Sequence, residues 1–406
     1  MKNRTENYFL SFGCSPFGNV EKRTSIAFFL PIFYYLYTRM DSSLYIHIPF
    51  CKRLCGYCDF YKTLDLARKG EVLGAMADEM ERRGSFLDTM RLRTVYFGGG
   101  TPSVCSAEEL AALTDRARSL WSFDSVEEIT VEANPDDLSV DYLAALRSAG
   151  VNRLSMGVQS FDAADLRFMN RRHDAAQAVQ AVADARRAGF DNISIDLIYG
   201  LPDRDAEKWR KNVVRAAELR PEHISAYFLT IEPNTVFGRR KIASADDETA
   251  RAEYAVLCDL LAEAGYEHYE ISNFALPGRR SRHNGAYWTG APYLGIGPSA
   301  HSYDGRRKRS WNAASVAEYM KGAEPQAETL SEQELYEEFV MLRLRTVEGV
   351  PTGLLEQRFG SARKEEFMRR AERHFSAGTL HHSLDAVAFT PSGWFVSDDV
   401  TSDFFD

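Results

Sequence analysis

Residues 44–58 read Leu-Tyr-Ile-His-Ile-Pro-Phe-Cys-Lys-Arg-Leu-Cys-Gly-Tyr-Cys. The stretch begins with a short run rich in β-branched and aromatic side chains, which predicts a strand over Leu44–Ile48. Three thiols, those of Cys51, Cys55 and Cys58, follow on the next loop. Such clustering is typical of metal ligation and unlike the dispersed cysteine pairs of a disulfide framework.

Similar apolar runs recur along the chain, and segments with helical spacing of apolar residues separate them. The predicted strands are Leu44–Ile48, Thr94–Phe97, Glu128–Val131, Arg153–Val158, Ile193–Ile198 and Ile224–Leu229. The predicted helices between them include Ala107–Leu120, Asp162–Met169, Ala175–Ala188 and Asp205–Leu219. Repeated βα units imply a parallel sheet with helices outside, and six units are fewer than the eight of a complete barrel. The predicted fold class is α/β, with a partial (β/α)6 barrel.

The pattern changes beyond the sixth predicted strand. Helices are predicted over Asp247–Ala264 and Ser331–Arg345, and a hairpin over Phe389–Val396 centred on Pro391-Ser392-Gly393. We therefore expect the barrel over residues 40–245, a barrel-flanking region over 246–330, and a winged-helix-like α+β module over 331–406. Residues 1–39 are expected to be an upstream extension or an unstructured segment.

An apolar run over Ile26–Tyr37 superficially resembles a signal peptide. It is too short to span a bilayer, which needs roughly 20 residues. Pro31 interrupts it, and no small-residue cleavage site follows. We expect translation to begin at Met40, and a membrane-associating segment is the alternative.

Charge and cysteine content narrow the classes of partner. The 406 residues include 49 Lys plus Arg and 58 Asp plus Glu, so the net charge is −9. This balance provides no general attraction to nucleic acid, which is not an expected partner. The chain has six cysteines, half of them in the one cluster, and a reducing cytoplasm is the expected compartment.

The cysteine spacing CxxxCxxC has a chemical interpretation. A [4Fe–4S] cluster usually takes four thiolates, so a loop with three leaves one iron without a protein ligand. S-adenosylmethionine (SAM) can chelate that iron, and an electron from the cluster can then cleave its sulfonium to a 5′-deoxyadenosyl radical. The alternative is a structural zinc ion with His47 as the fourth ligand. Cys14, Cys105 and Cys258 stand alone and are expected to be plain thiols.

Polar residues follow several predicted strands, where a parallel α/β sheet places its active site. Gly98-Gly99-Gly100-Thr101-Pro102 comes after the second strand, and its glycines let the backbone approach a ligand closely. Further polar residues at or near later strand ends are Glu132, Gln159, Arg171 and Asp196. Together they predict a binding site at one end of the barrel.

These motifs resemble the radical SAM proteins of the coproporphyrinogen dehydrogenase group, and more closely its heme-chaperone branch. The segments LYIHIPFC, CxxxCxxC, GGGTP and SMGVQSF carry the resemblance, which extends from about Leu44 to the C-terminus. It implies that Cys51, Cys55 and Cys58 bind the cluster and that Tyr45, Gly99 and Glu132 contact SAM. Positions that contact a second SAM in the dehydrogenase are matched by Tyr57, Gly100, Thr101, Gln159, Arg171 and Asp196.

One position separates the two branches. The dehydrogenase pattern is CxxxCxxCxC, and this chain has Phe60 where the further cysteine belongs. Phenylalanine cannot replace a thiol in handling protons or electrons, so the oxidative decarboxylation of coproporphyrinogen is not expected. A radical enzyme that acts on a porphyrinogen stays the alternative to a heme carrier.

The heme-chaperone branch is associated with an HNxxYW motif, which this chain has as His283, Asn284, Tyr287 and Trp288. A neutral imidazole can bind heme iron, and the two aromatic rings offer flat apolar surface to a porphyrin. His301 is the competing ligand, whereas His374, His381 and His382 are expected at the surface. Two basic runs, Arg279, Arg280 and Arg282, and Arg306 to Arg309, are expected to be solvated loops, and the alternative is that some of their arginines pair with the heme propionates.

The resemblance also implies partners. A heme carrier delivers heme to apo-hemoproteins, such as respiratory-chain proteins, and a radical SAM cluster needs an electron donor. A homodimer is a further expectation. The expected cofactors are the [4Fe–4S] cluster, SAM and heme.

Overall fold

The computed structural model of the chain describes residues 41–87, 90–202 and 205–405. The strands of its large sheet are β1 (Asp41–Ile48), β2 (Arg91–Gly99), β3 (Glu128–Ala133), β4 (Arg153–Gln159), β5 (Ile193–Tyr199), β6 (His223–Phe228), β7 (Glu267–Glu270), β8 (Asn273–Ala275), β9 (Tyr293–Ile296), β10 (His301–Tyr303), β11 (Lys308–Trp311) and β12 (Gln326–Thr329). A small sheet contains β13 (Val350–Pro351), β14 (Leu380–Ser383) and β15 (Ala386–Phe389). The predicted extension over 1–39, with Cys14 and the Ile26–Tyr37 run, and the predicted start at Met40 lie outside the described residues.

The helices alternate with the first six strands and then cluster towards the C-terminus. They are α1 (Lys69–Arg82), α2 (Ala107–Leu120), α3 (Val140–Ser148), α4 (Ala163–Phe168), α5 (Ala175–Arg187), α6 (Ala206–Glu218), α7 (Val236–Arg239), α8 (Asp247–Glu263), α9 (Arg282–Trp288), α10 (Val316–Tyr319), α11 (Glu332–Leu344), α12 (Thr352–Phe359), α13 (Ser361–Ala377) and α14 (Ser397–Ser402). Short 3-10 turns occupy Leu66–Arg68, Gly84–Leu87, Pro102–Val104, Pro135–Asp137 and Trp394–Val396.

Local sequence signals explain where the barrel helices begin and end. Ser106 opens α2 with a capping box, in which its side chain and that of Glu109 satisfy each other's backbone amides. Asp174 does the same for α5 with Gln177. Glycines with a positive φ angle, such as Gly150 after α3, let the chain leave the helix for the next strand.

The large sheet confirms the predicted α/β fold with its parallel strands. Its order is β12-β11-β10-β9-β1-β2-β3-β4-β5-β6-β8-β7 among the described residues, and β1 to β6 pair in parallel. Strand β9, which follows the six barrel strands in the sequence, pairs in parallel with β1 on the edge of β1 that faces away from β2. Residues from the predicted flanking region therefore extend the sheet of the barrel.

The two faces of the parallel strands differ in chemistry. On β1, Leu44, Ile46 and Ile48 are buried in the hydrophobic core, and the other strands and the helices continue that core. The alternate residues of each strand form a polar inner face, which includes Tyr96, Glu132, Arg153, Asp196 and His223. Because successive side chains of a strand point to opposite faces of the sheet, the apolar residues form an outer layer covered by helices and the polar residues form a buried interior.

The C-terminal part has helices α12 and α13 and a small antiparallel sheet in the order β13-β15-β14. The predicted hairpin over Phe389–Val396 is wrong, because the hairpin consists of β14 and β15 and turns at Leu384 and Asp385. Pro391-Ser392-Gly393 does form a turn, in which Gly393 N donates to Thr390 O, but a 3-10 helix follows it. Its Trp394 is buried, so hydrophobic packing holds the chain in a helix there.

His374 was expected at the surface, but it is buried against Phe404 with ring centroids 5.7 Å apart. His381 and His382 are exposed as expected. No helix in the described ranges is both long enough and apolar enough to cross a membrane.

Candidate functional site

A cavity of about 440 Å³ opens at the carboxyl ends of the parallel strands. It brings together residues from Cys51 to Glu232, which are 181 positions apart in the sequence, because parallel strands place their ends at one edge of the sheet. The predicted site residues that line it are Cys51, Cys55, Tyr57, Cys58, Gly99, Gly100, Thr101, Glu132, Gln159, Arg171 and Asp196. Phe60, at the branch-distinguishing position, also lines the cavity, and 68% of its surface is exposed.

The three cysteine thiols face this cavity and have polar neighbours. Cys51 Sγ lies 3.3 Å from Thr101 Oγ1, and Arg171 Nη1 donates to Cys55 Sγ over 3.2 Å. Lys62 Nζ donates to the carbonyl oxygen of Cys58 over 2.6 Å. Burial raises the pKa of the Cys51 thiol to about 11, and burial also raises the pKa of Cys58. Positive groups stand beside this loop, where thiolates bound to iron would need them.

His47 is not placed as a fourth ligand. Its Nδ1 lies 3.2 Å from Tyr45 Oη, and its Nε2 lies 3.0 Å from the carbonyl oxygen of Tyr61. In the described ranges, no three His, Cys, Asp or Glu side chains lie close enough to share one metal ion. In a cluster each thiolate binds a different iron, so the sulfurs need a common space rather than a common point.

The glycine-rich turn fits tightly against the cysteine loop. Gly100 N donates to Ile48 O over 2.8 Å, and Thr101 N donates to Phe50 O over 2.7 Å. A Cβ atom on Gly100 would lie 2.7 Å from Phe50 O, so a larger residue would push the two loops apart. The glycines thus position the cysteine loop, in addition to opening backbone surface to the cavity.

Arg171 links one wall of the cavity to the cysteine loop. Its Nη2 donates to Gly157 O over 2.6 Å and to Asn134 Oδ1 over 2.5 Å, while Nη1 also lies 3.4 Å from Tyr57 Oη. Its Nε is buried, with no hydrogen-bond partner in the part of the chain that the structure describes. The guanidinium is therefore fixed in place and retains one unused donor at the cavity.

Two partly buried carboxyl groups lie at the floor of the cavity. Glu132 Oε1 accepts from Tyr96 Oη over 2.7 Å, and Oε2 accepts from Gly99 N over 3.2 Å. Burial raises the pKa of Glu132 to about 7 and that of Asp196 to about 6. A cationic ligand would stabilise their charged forms, which is a property expected of a site for SAM.

Tyr45 does not share the position of the other predicted residues. It lies within β1, before the carboxyl end of the strand, and its ring stacks on that of Tyr96 with centroids 6.1 Å apart. Asn134 and Tyr227 also line the cavity, directly after β3 and at the end of β6, and were not predicted as site residues. Their position at the strand ends is the sequence signal from which they could have been predicted. Arg153 gave no such signal, because it begins a strand and is buried in the barrel interior.

The HNxxYW residues lie on helix α9, at the opposite end of the parallel strands. The carboxylate of Glu128, at the start of β3, accepts from Arg282 N over 3.1 Å and from His283 N over 2.9 Å. A negative charge at a helix N-terminus is stabilising because the first amide groups have no partner within the helix. The helix therefore closes the amino-terminal end of the barrel.

His283 points from this helix into the barrel and is 1% exposed. Thr94 Oγ1 lies 2.8 Å from its Nδ1 and itself donates to Ser43 Oγ, so Thr94 is the acceptor and Nδ1 carries the proton. The other nitrogen, Nε2, accepts from Tyr287 Oη over 2.9 Å. Burial lowers the pKa of His283 to about 3 and keeps the imidazole neutral.

The remaining motif residues are half-buried. Arg345 lies over the ring of Trp288, 4.6 Å from its centroid, and also pairs with the buried Glu270. Asn284 N donates to Ser281 Oγ at the start of the helix. His301, the competing candidate, is exposed and stacks on Trp311.

Most guanidinium groups of the two basic runs have acidic partners at the surface. Arg280 Nη1 lies 2.6 Å from Glu348 Oε1, and Arg282 pairs with Glu127. The other pairs are Arg279 with Asp191, Arg307 with Glu332 and Arg309 with Glu338. Ligand carboxylates would have to compete with these partners.

Comparison with known proteins identifies the family. Residues 45–213 match the Radical SAM superfamily, and residues 330–396 match the HemN C-terminal domain. The chain is 36% identical over 372 residues to the heme chaperone HemW of Lactococcus lactis, covering 89% of this chain and 97% of that relative. The chain belongs to the HemW family. The HemW of Escherichia coli is 36% identical over 332 residues, which cover 77% of this chain and 87% of the relative.

A solved structure supports the same fold for this HemW family member. The coproporphyrinogen III oxidase HemN of Escherichia coli, a radical SAM enzyme, matches with a TM-score of 0.79 and 25% identity over 91% of each chain. The predicted family resemblance is thus confirmed. The Radical SAM match implies a [4Fe–4S] cluster and SAM, and the three thiols around one cavity fit that requirement.

Proposed function

We propose that this protein is a heme chaperone, which binds heme and transfers it to apo-hemoproteins. The similarity to proteins named heme chaperone HemW, over nearly their full length, is the observation that carries the proposal. The solved coproporphyrinogen III oxidase is less similar in sequence. The proposed carrier works in the cytoplasm, with an electron donor for its cluster, and its recipients include respiratory-chain proteins.

Phe60 favours the carrier over the porphyrinogen enzyme. It lines the mouth of the cavity, at the position where the dehydrogenase pattern has its further cysteine. A phenyl ring can neither exchange a proton nor form a thiyl radical, as a cysteine thiol can. The chain therefore lacks that thiol at the place where a porphyrinogen substrate would approach.

In this proposal, Cys51, Cys55 and Cys58 bind the cluster, and SAM occupies the rest of the cavity. Bound together, they supply an iron with an open position and a sulfonium that can be reduced. Glu132 and Asp196 provide negative charge at the floor, and Arg171 orients the wall beside Cys55. Gly99, Gly100, Thr101, Gln159 and Tyr57 complete the binding surface.

We propose the HNxxYW helix as the heme site, with His283 as the iron ligand. Metal-binding histidines usually donate one ring N–H to a protein acceptor and present the other nitrogen to the metal. Here Nδ1 donates to Thr94, so Nε2 is the nitrogen that would bind the iron. The lone pair of Nε2 already accepts a hydrogen bond from the Tyr287 hydroxyl. Heme binding at His283 thus requires Tyr287 to move away.

The experiment that tests the function compares two activities of one preparation. Anaerobically reconstituted protein with cluster and SAM is titrated with heme and, in parallel, incubated with coproporphyrinogen under reducing conditions. The proposal expects stoichiometric heme binding and no protoporphyrinogen. Efficient conversion of coproporphyrinogen without heme binding would favour the radical enzyme.

A further inference from the structure

Two arginines flank the HNxxYW helix at its C-terminal end. Arg343, on α11, donates from Nη2 to the carbonyl oxygen of Thr289 over 3.2 Å. Arg358, on α12, lies over the same phenylalanine ring as Arg343: the two guanidinium carbons are 5.2 Å and 5.8 Å from the ring centroid of Phe339. The two positive groups therefore share one apolar platform beside the motif.

Neither guanidinium is neutralised by an acidic partner. In the described ranges, no carboxylate lies within ion-pairing distance of Arg343 or Arg358. Burial, and secondly the charge of Arg358, lower the pKa of Arg343, and the charge of Glu348 opposes this shift more weakly. Two like charges that lie over one ring repel each other, and an anion bound between them would relieve that repulsion. This pair differs from the predicted arginines, whose acidic partners are already in place.

Trp288 of the motif lies beside the same two arginines. Its Nε1 is buried, and no hydrogen-bond partner for it occurs in the part of the chain that the structure describes. Buried indole N–H groups usually have an acceptor, so this donor lacks one. Trp288, Arg343 and Arg358 line one cavity, of about 30 Å³.

The volume and the charged groups of the cavity indicate which kind of ligand it can bind. A water molecule needs at least about 10–15 Å³, so this space admits a group of about two oxygen atoms and not a macrocycle. Its positively charged donors are two guanidinium groups, which bind carboxylates in a two-pronged geometry. Glu338 also lines the cavity, but its carboxylate lies 2.7 Å from Arg309 and is neutralised there.

We propose that Arg343 and Arg358 form a binding site for a carboxylate beside Trp288, and that this carboxylate is a heme propionate. The inference rests on the proposed function, because it takes heme as the ligand of the HNxxYW helix. The macrocycle stays outside the cavity, and the propionate enters it. The site replaces the basic runs at 279–282 and 306–309 as the place where the propionates bind.

The test compares heme with heme dimethyl ester, whose propionates carry no charge. Wild-type protein should bind heme about tenfold more tightly than the ester, since a charge-assisted pair is lost. Arg358→Gln and Arg343→Gln should weaken heme binding about tenfold and leave ester binding unchanged. Arg358 is exposed, so its variant should fold normally even if Arg343→Gln does not.

Arg118→Gln is the matched control, because Arg118 also lies over a phenylalanine ring, that of Phe123, but on α2. It should alter neither affinity by more than about twofold. Equal binding of heme and ester by the wild type, or unchanged heme affinity in Arg358→Gln, would overturn the carboxylate site and leave the heme function standing. Failure of the wild type to bind either compound would overturn both.

Discussion

Tyr96 stacks on His283 with ring centroids 4.7 Å apart. The hydroxyl of the same tyrosine donates to Glu132 at the floor of the cysteine-lined cavity. One side chain therefore connects the cavity at the carboxyl ends of the strands with the helix that closes their amino ends. Within the proposed function, Tyr96 therefore contacts both the SAM site and the HNxxYW motif.

Replacing Tyr96 by phenylalanine separates its two contacts. The ring stack on His283 is retained, while Glu132 loses one of its donors. We expect the free energy of unfolding at pH 8 to fall by about 1–3 kcal/mol, because a buried carboxylate loses a hydrogen bond. Urea denaturation measures this loss, and the absorption spectrum of bound heme should not change. An altered heme spectrum with full stability would contradict the assignment of the two contacts.

The raised pKa of Glu132 makes stability depend on pH. Between 4.5, the ordinary value, and about 7, the folded protein retains a proton that the unfolded chain releases. Its free energy of unfolding should therefore fall as the pH rises through this window, by at most about 3 kcal/mol. Glu132→Gln should remove this component.

The measurement compares the free energy of unfolding of wild type with that of Glu132→Gln, both without cluster or SAM, by urea denaturation at each pH. Asp196→Asn should show the same sign over a lower window, because burial raises the pKa of Asp196 from 3.8 to about 6. A difference for Glu132→Gln that stays flat between pH 4.5 and 7 would contradict the buried, protonated carboxyl group.

The cluster assignment predicts a clear division among the cysteines. Cys55→Ala should abolish the cluster in anaerobically prepared protein, whereas wild type should contain about four iron atoms per chain. Cys258→Ala is the matched control, because Cys258 lies on α8 and outside the cavity lining. Iron analysis and the absorption spectrum measure the outcome. A normal cluster in Cys55→Ala would refute the assignment.

Heme ligation by His283 predicts opposite effects of two neighbouring substitutions. His283→Ala should change the heme absorption spectrum, because the axial ligand sets the electronic state of the iron. Tyr287→Phe should raise heme affinity about fivefold, because it removes the hydroxyl that competes for Nε2. His301→Ala serves as the comparison. A spectrum altered by His301→Ala and not by His283→Ala would transfer the ligand role to His301.

The sequence predicted the first half of the fold well because its signals are local. The helix Ala107–Leu120 has the predicted bounds, and its capping residues stand next to it in the sequence. The strands β1 to β6 were also predicted, since each combines a buried apolar face with a boundary set by glycine or polar residues. The hairpin of the C-terminal module was missed because its turn at Leu384 has no typical turn sequence, although Leu384 adopts a positive φ of 53°.

Contacts between distant residues could not be predicted in this way. Nothing near the HNxxYW motif indicates that Glu128, more than 150 positions earlier, accepts from its first amides. Likewise, the basic run at Arg280 has the composition of an anion site, and only the fold brings Glu348 to it. The cavity residues were predicted because strand ends in a parallel sheet converge by rule, whereas surface ion pairs follow no such rule.

Heme transfer tests the central claim most directly. Protein reconstituted with cluster and SAM is loaded with heme, freed of excess heme and mixed anaerobically with an apo-hemoprotein, and the two are then separated and their spectra recorded. The account predicts that the recipient acquires the spectrum and activity of its holo form while the donor loses heme in equal amount. Heme that stays on the donor, or a donor that never retains heme, would contradict the proposal that this protein is a heme chaperone.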